Sequence, residues 1–170
     1  MKFTKLFSFL LVVIMMFSFT TSTTLAESST TLESTTLAAS SSTTFTSRDT
    51  MSLTLAQQAS GDSSVATFNV SGLPSGAIVT KVVVDANSGL TYGGTGAIVS
   101  NRVHIKNNSM DNYISAPWGS LNKTEISAGV IGQPAAGTWS IYYNGTNVST
   151  LVGSSWKKYA SPKLTIYYNY

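Results

Sequence analysis

The chain has one histidine and no cysteine, so few reactive arrangements are open to it. Thiol nucleophiles, thiolate zinc sites and thiol redox chemistry are excluded outright. A Ser-His-Asp relay would have to run through His104. The alternation of its segment turns His104 outward beside Arg102 and Lys106, whose charges lower its pKa and supply no orienting carboxylate. Asp85 is the nearest acid to nominate, and no spacing supports that pairing. His104 therefore reads as a surface histidine.

The remaining acids of the expected domain are Asp62, Asp85, Asp111 and Glu125, each isolated in sequence. Glycoside hydrolysis needs two carboxyls about 5–9.5 Å apart, and no pair is marked by spacing. No Asp-x-Asp-x-Asp-like loop suggests calcium, so no metal or cofactor is expected. Gly93-Gly94-Thr95-Gly96 lacks the Lys-Ser/Thr ending of a phosphate loop and reads as a turn. Asn69, Asn107, Asn122, Asn144 and Asn147 lie in Asn-x-Ser/Thr triplets, which matter only in a eukaryotic secretory route.

Binding content resides in the aromatic residues. Tyr142 and Tyr167 point away from the expected core, while Trp118, Trp156 and Tyr159 lie in or beside loops. Exposed rings suit stacking on sugars or packing on another protein, with Lys157 and Lys158 adding charge. The alternative is that a second sheet or a loop covers them.

The elements that would carry these rings are strands. Met51, Leu53 and Leu55 alternate with polar residues, as do Ala66, Phe68 and Val70. Ser71 to Gly76 is a turn. Ala77 to Asp85 is β-branched and apolar on both faces, which suits a central strand. From Ala97 to Lys106, one face holds Ala97, Val99, Val103 and Ile105, and the other Ser100, Arg102, His104 and Lys106. Tyr113-Ile114 and Thr124 to Ile126 read as short strands around an Ala116–Gly119 loop. Trp139, Ile141 and Tyr143 alternate up to Asn144-Gly145, the strongest two-residue hairpin signal. That turn would set Ile141 opposite Val148. Leu164, Ile166 and Tyr168 share one face of a last strand. Seven to nine short strands without a helical period indicate an all-β, antiparallel β-sandwich or jelly roll over 51–170.

Residues 1–26 have the anatomy of a secretory signal peptide: Lys2 and Lys5, an apolar run from Leu6 to Phe19, and small residues up to Ala26. The run is short for a bilayer span of about 20 residues, so no membrane span is expected after cleavage. Residues 27–50 contain 15 Ser/Thr in 24 positions and read as a disordered linker or stalk. Removing Lys2 and Lys5 from 10 basic and 7 acidic residues leaves a net charge of +1. Such a near-neutral chain has no electrostatic reason to bind nucleic acid.

Three motifs, Gly137-Thr138-Trp139, the polar stretch Asn144 to Gly153, and Ser155-Trp156 with Leu164-Thr165-Ile166, carry a resemblance. Together they are similar to the end of the P domain of proprotein convertases and bacterial subtilisin-like proteases. Lys157 to Pro162 stand where that family runs directly into its closing strand. The resemblance implies a jelly-roll module without catalytic residues of its own. The combined expectation is a secreted or cell-surface, non-catalytic module that binds a glycan or protein. A self-assembling surface protein and a small secreted hydrolase are the alternatives. Oligomeric state is not readable.

Overall fold

A computed structural model describes residues 38–170. The expected signal peptide and residues 27–37 of the expected linker lie outside the described residues. Among the described residues the fold is all β, with twelve strands in three antiparallel sheets. In chain order these are β1 (Ser40–Thr46), β2 (Thr50–Ala56), β3 (Ser60–Asp62), β4 (Ala66–Val70), β5 (Ile78–Asp85) and β6 (Leu90–Gly94). They continue with β7 (Ile98–Asn107), β8 (Ile114–Pro117), β9 (Lys123–Ile126), β10 (Gly137–Asn147), β11 (Ser154–Ala160) and β12 (Lys163–Asn169). One sheet runs β1-β12-β5-β9 and a second β2-β11-β6; the third runs β3-β10-β7-β8, with β4 also on β10.

Two of these sheets are halves of one bent ribbon. Strand β1 pairs with β12 up to Thr46–Lys163, and β2 pairs with β11 from Thr50–Ala160 onward. Between them the chains bend together, held by Ser47 N–H to Pro162 O and Ser161 N–H to Asp49 O. Pro162 has no N–H to continue the ladder, which is one reason the pairing breaks there. Ser161 sits in the left-handed region at φ 49°.

Strand β1 corrects an expectation. The first described strand starts at Ser40 instead of near Met51, inside the segment expected to be disordered linker. Its Ser/Thr side chains bury little, but all seven residues pair with β12 and Phe45 packs against the core. A strand with few apolar residues is thus ordered by a partner that has them, Leu164, Ile166 and Tyr168, all buried.

The alternations at Met51/Leu53/Leu55, Ala66/Phe68/Val70, Trp139/Ile141/Tyr143 and Leu164/Ile166/Tyr168 all point into one core. Strand β5 lies inside its sheet, between β12 and β9, with Val82, Val83 and Val84 all buried. Trp139 is fully buried and donates its indole N–H to Ala135 O at 3.0 Å.

Three local readings are overturned. Asn144-Gly145 is no hairpin turn: β10 runs straight through it, and Ile141 faces Ile105 and Ala66, not Val148. The Asn144 amide instead bonds Gly61 O at 3.0 Å and Asp62 Oδ1 at 2.8 Å. A Cβ at Gly145 would meet Ile98, Leu53 and the Val99 carbonyl at about 3 Å, so glycine serves close packing there. Second, β7 carries a bulge: Arg102 faces Asn144 while Ser100 faces Gly145, leaving Asn101 extra. The bulge reverses the side-chain parity, so Ile98 is buried and Val99 is exposed. Third, Leu90 to Gly94 is a strand paired with β11, although Tyr92 to Gly96 reads as a loop in the sequence.

Candidate functional site

The expected aromatic residues divide between core and surface. Tyr159 is fully buried within β11, not in a loop. Its hydroxyl donates to Asn122 Oδ1 at 2.9 Å and lies 3.0 Å from Ser100 Oγ. Burial raises its pKa, opposed by the Ser100 hydrogen bond. Trp118 is half-buried, stacks on Tyr159 at 5.1 Å and donates its indole N–H to Asn122 Oδ1. With Tyr143, which is edge-on to Tyr159 at 5.2 Å, these rings form an interior aromatic cluster. Covering, the alternative to exposure, holds fully for Tyr159 and in part for Trp118.

Trp156 and Tyr167 remain on outward faces, in different sheets. Trp156 lies over Gly93 of the neighbouring strand, where a Cβ would fall 2.8 Å from its ring, with Lys158 Nζ 5.2 Å from the ring centroid. Tyr167 has Lys81 Nζ 4.6 Å from its ring centroid, and Lys81 binds Glu125 at 3.0 Å. Val83, Leu121, Lys123 and Glu125 share a shallow depression with Tyr167.

Tyr142 belongs to the most concentrated surface cluster. The register of β10 on β7 sets it directly opposite His104. The two rings stack at 4.5 Å with planes 3° apart, and Tyr113 meets Tyr142 edge-on at 4.9 Å. Lys106 Nζ lies 5.2 Å from the Tyr113 ring. Around the cluster, Arg102 donates to Ser115 Oγ at 2.6 Å and Asn144 holds Asp62. All three rings are half-buried. Partial burial pushes the His104 pKa below its ordinary value and the Arg102 charge adds to this, while Asp62 opposes both. Burial, then Asp62 and Tyr113, raise the Tyr142 pKa. His104 is thus mostly neutral at pH 7 and stacks as an uncharged ring.

His104 therefore is not an isolated surface histidine, and the acid whose field it feels is Asp62 rather than Asp85. Asp85 accepts the Asn87 N–H from its own turn at 3.0 Å. Asp62 is taken up by Asn144, and the His104 ring makes no hydrogen bond among the described residues, so the geometry gives it no oriented base role. Asp85 and Glu125 reach neighbouring strands, two residues out of register. Each is engaged by a donor, the Asn87 N–H or Lys81, whereas glycoside hydrolysis needs one carboxyl left to carry a proton. Asp111 lies exposed between β7 and β8. Among the described residues no three of His, Asp and Glu converge as metal ligands.

Tyr113 and the His104 stack are not singled out by the sequence. The only sequence signal for them is outward parity on two strands whose pairing is not written in either one. No protein-family model matches this chain, and a comparison with curated proteins finds no match.

Proposed function

We propose that the folded body is a secreted, non-catalytic β-sandwich module that holds a surface glycan or protein on the outward face of β10 and β7. The observation that carries this is the Tyr142–His104–Tyr113 cluster, set among Arg102, Lys106, Asn144 and Asp62 on paired strands. Half-exposed rings beside fixed polar groups offer a ligand apolar contact and hydrogen bonds at little ordering cost. Tyr167, near the Lys81–Glu125 pair, is a smaller subsidiary patch, and Trp156, on a different sheet, lies outside both.

Binding of the full chain to an array of glycans and cell-wall polymers tests this. Tyr142→Ala and His104→Ala should each weaken the bound ligand at least about tenfold, the loss of one stacked ring. Trp156→Ala should leave it unchanged. Full affinity in Tyr142→Ala and His104→Ala would refute the reading.

A second reading, self-assembly at the cell surface, is favoured by β1. It is an edge strand of seven residues with no charge and no proline, and so lacks the usual devices against edge-to-edge pairing. Sedimentation over a range of protein concentrations separates the two readings. A monomer throughout supports the binding module; reversible growth abolished by Thr43→Lys supports assembly.

A further inference from the structure

One row of the three-stranded sheet runs from buried Leu53 on β2 through half-buried Lys157 on β11 to Tyr92 on β6, which is 73% exposed. A lysine in that row, between buried Ser155 and buried Tyr159, costs free energy unless its ammonium is satisfied. Lys157 Nζ donates to Ile98 O at 3.1 Å and to Ser100 Oγ at 3.0 Å, and lies 5.3 Å from the Tyr159 ring centroid. These partners are neutral, and an ammonium has three N–H groups. Among the described residues the one ion pair is Lys81 with Glu125, so Lys157 has no counter-ion there. Burial lowers its pKa, as expected for a cation short of compensation.

The same lysine forms one wall of a pocket of about 210 Å³, with Leu90, Tyr92, Ala97 and Ile98 as the others. Four walls are apolar or aromatic and one carries a positive charge. Ligand pockets for drug-sized molecules span about 300–1,000 Å³, so the occupant must be smaller. With one N–H to offer and no arginine fork, the site suits a carboxylate held at a single point better than a phosphate.

We propose that this pocket binds a small amphipathic carboxylate, its apolar body against Leu90, Tyr92, Ala97 and Ile98 and its anionic oxygen on the third N–H of Lys157. The charge supplied by the guest replaces the hydration that Lys157 has lost. This site is separate from the His104–Tyr142 face and stands whether or not that face binds a glycan.

Benzoate and its neutral counterpart benzyl alcohol are suitable probes. Titrated into the full chain and followed by NMR, benzoate should shift the Ala97, Ile98 and Leu90 methyl signals saturably. A dissociation constant on the order of 1 mM is expected for so few atoms. Benzyl alcohol should bind at least about tenfold more weakly, the effect of losing one charge-assisted hydrogen bond. Lys157→Met should abolish that preference. Independently of any variant, saturating benzoate should raise the pKa read from the Lys157 Cε signal. Equal affinity for the two probes, no saturable shift, or an unmoved Lys157 titration would each overturn the proposal.

Discussion

Asn147 is fully buried at the end of β10, and its side chain is committed entirely to backbone. Its Nδ2 donates to Leu55 O at 3.2 Å and Ala56 O at 3.0 Å, and its Oδ1 accepts the Ser149 N–H at 3.0 Å. It therefore ties the end of β2 to the segment leaving β10. Asn147→Ala removes three hydrogen bonds, leaving the Ser149 N–H and Leu55 O short in a buried place while Ala56 O keeps the Ala59 N–H at 3.2 Å. Each such group costs about 1–3 kcal/mol, less whatever relaxation recovers, so a loss of about 3 kcal/mol is expected. For a domain of this size that lowers the melting temperature by on the order of 10 °C. Asn147→Asp is the sharper probe. It keeps the acceptor for Ser149 but sets a buried carboxylate oxygen against two carbonyls, so at pH 7 it should cost more than alanine. The same repulsion raises the folded-state pKa of the new acid above its unfolded value of about 3.9. Relative to the parent, the aspartate variant should then be least harmed below that value, and its penalty should grow as pH rises through the folded-state pKa. Urea unfolding followed by Trp fluorescence at pH 3.5 and pH 7 measures both, since Trp139 is fully buried and reports the core. An aspartate variant as stable as the parent at pH 7, or one insensitive to pH, would refute this account of Asn147.

A chain starting at Met51 lacks β1 and should fail to unfold cooperatively. Seven paired positions at roughly 0.5–1.5 kcal/mol per hydrogen bond are comparable to the whole stability of a domain; far-UV CD and limited proteolysis against residues 38–170 check this. Leu121 is 82% exposed in the left-handed region at φ 53°, so Leu121→Gly should stabilise by up to about 1 kcal/mol in chemical denaturation. His104 should titrate below its ordinary value of 6.5 by NMR. Because its folded-state pKa is depressed, its contribution to stability is present above the unfolded value and is lost as pH falls through that range. Tyr142→Ala, which uncovers the imidazole, should bring the titration back toward 6.5.

Where side chains alternate against a single core, the period of two is readable directly, as at Trp139, Ile141 and Tyr143. What escapes the sequence depends on partners distant along the chain. Asn144-Gly145 has strong local turn chemistry, but β3 offers Asn144 two acceptors and the core fills the space beside Gly145, so tertiary packing outweighs the turn preference. The bulge at Asn101 exchanges inward and outward positions along β7, which no uninterrupted alternation can reveal. Strand β1 lacks an apolar period because β12 supplies the buried surface for both. Of the site, the outward placement of Tyr142 is legible, but its stack with His104 exists only through the register of β10 on β7. Tyr159 reads as a loop residue because β11 continues past the point where its sequence stops alternating.

The backbone of Ala39 is bonded to that of Tyr170 in both directions, N–H to O at 3.1 Å each way. A load applied across these two residues would therefore part β1 from β12 one rung after another, like a zip drawn from its open end, instead of straining every rung at once. Tension on a tether attached there would peel this domain open at low force.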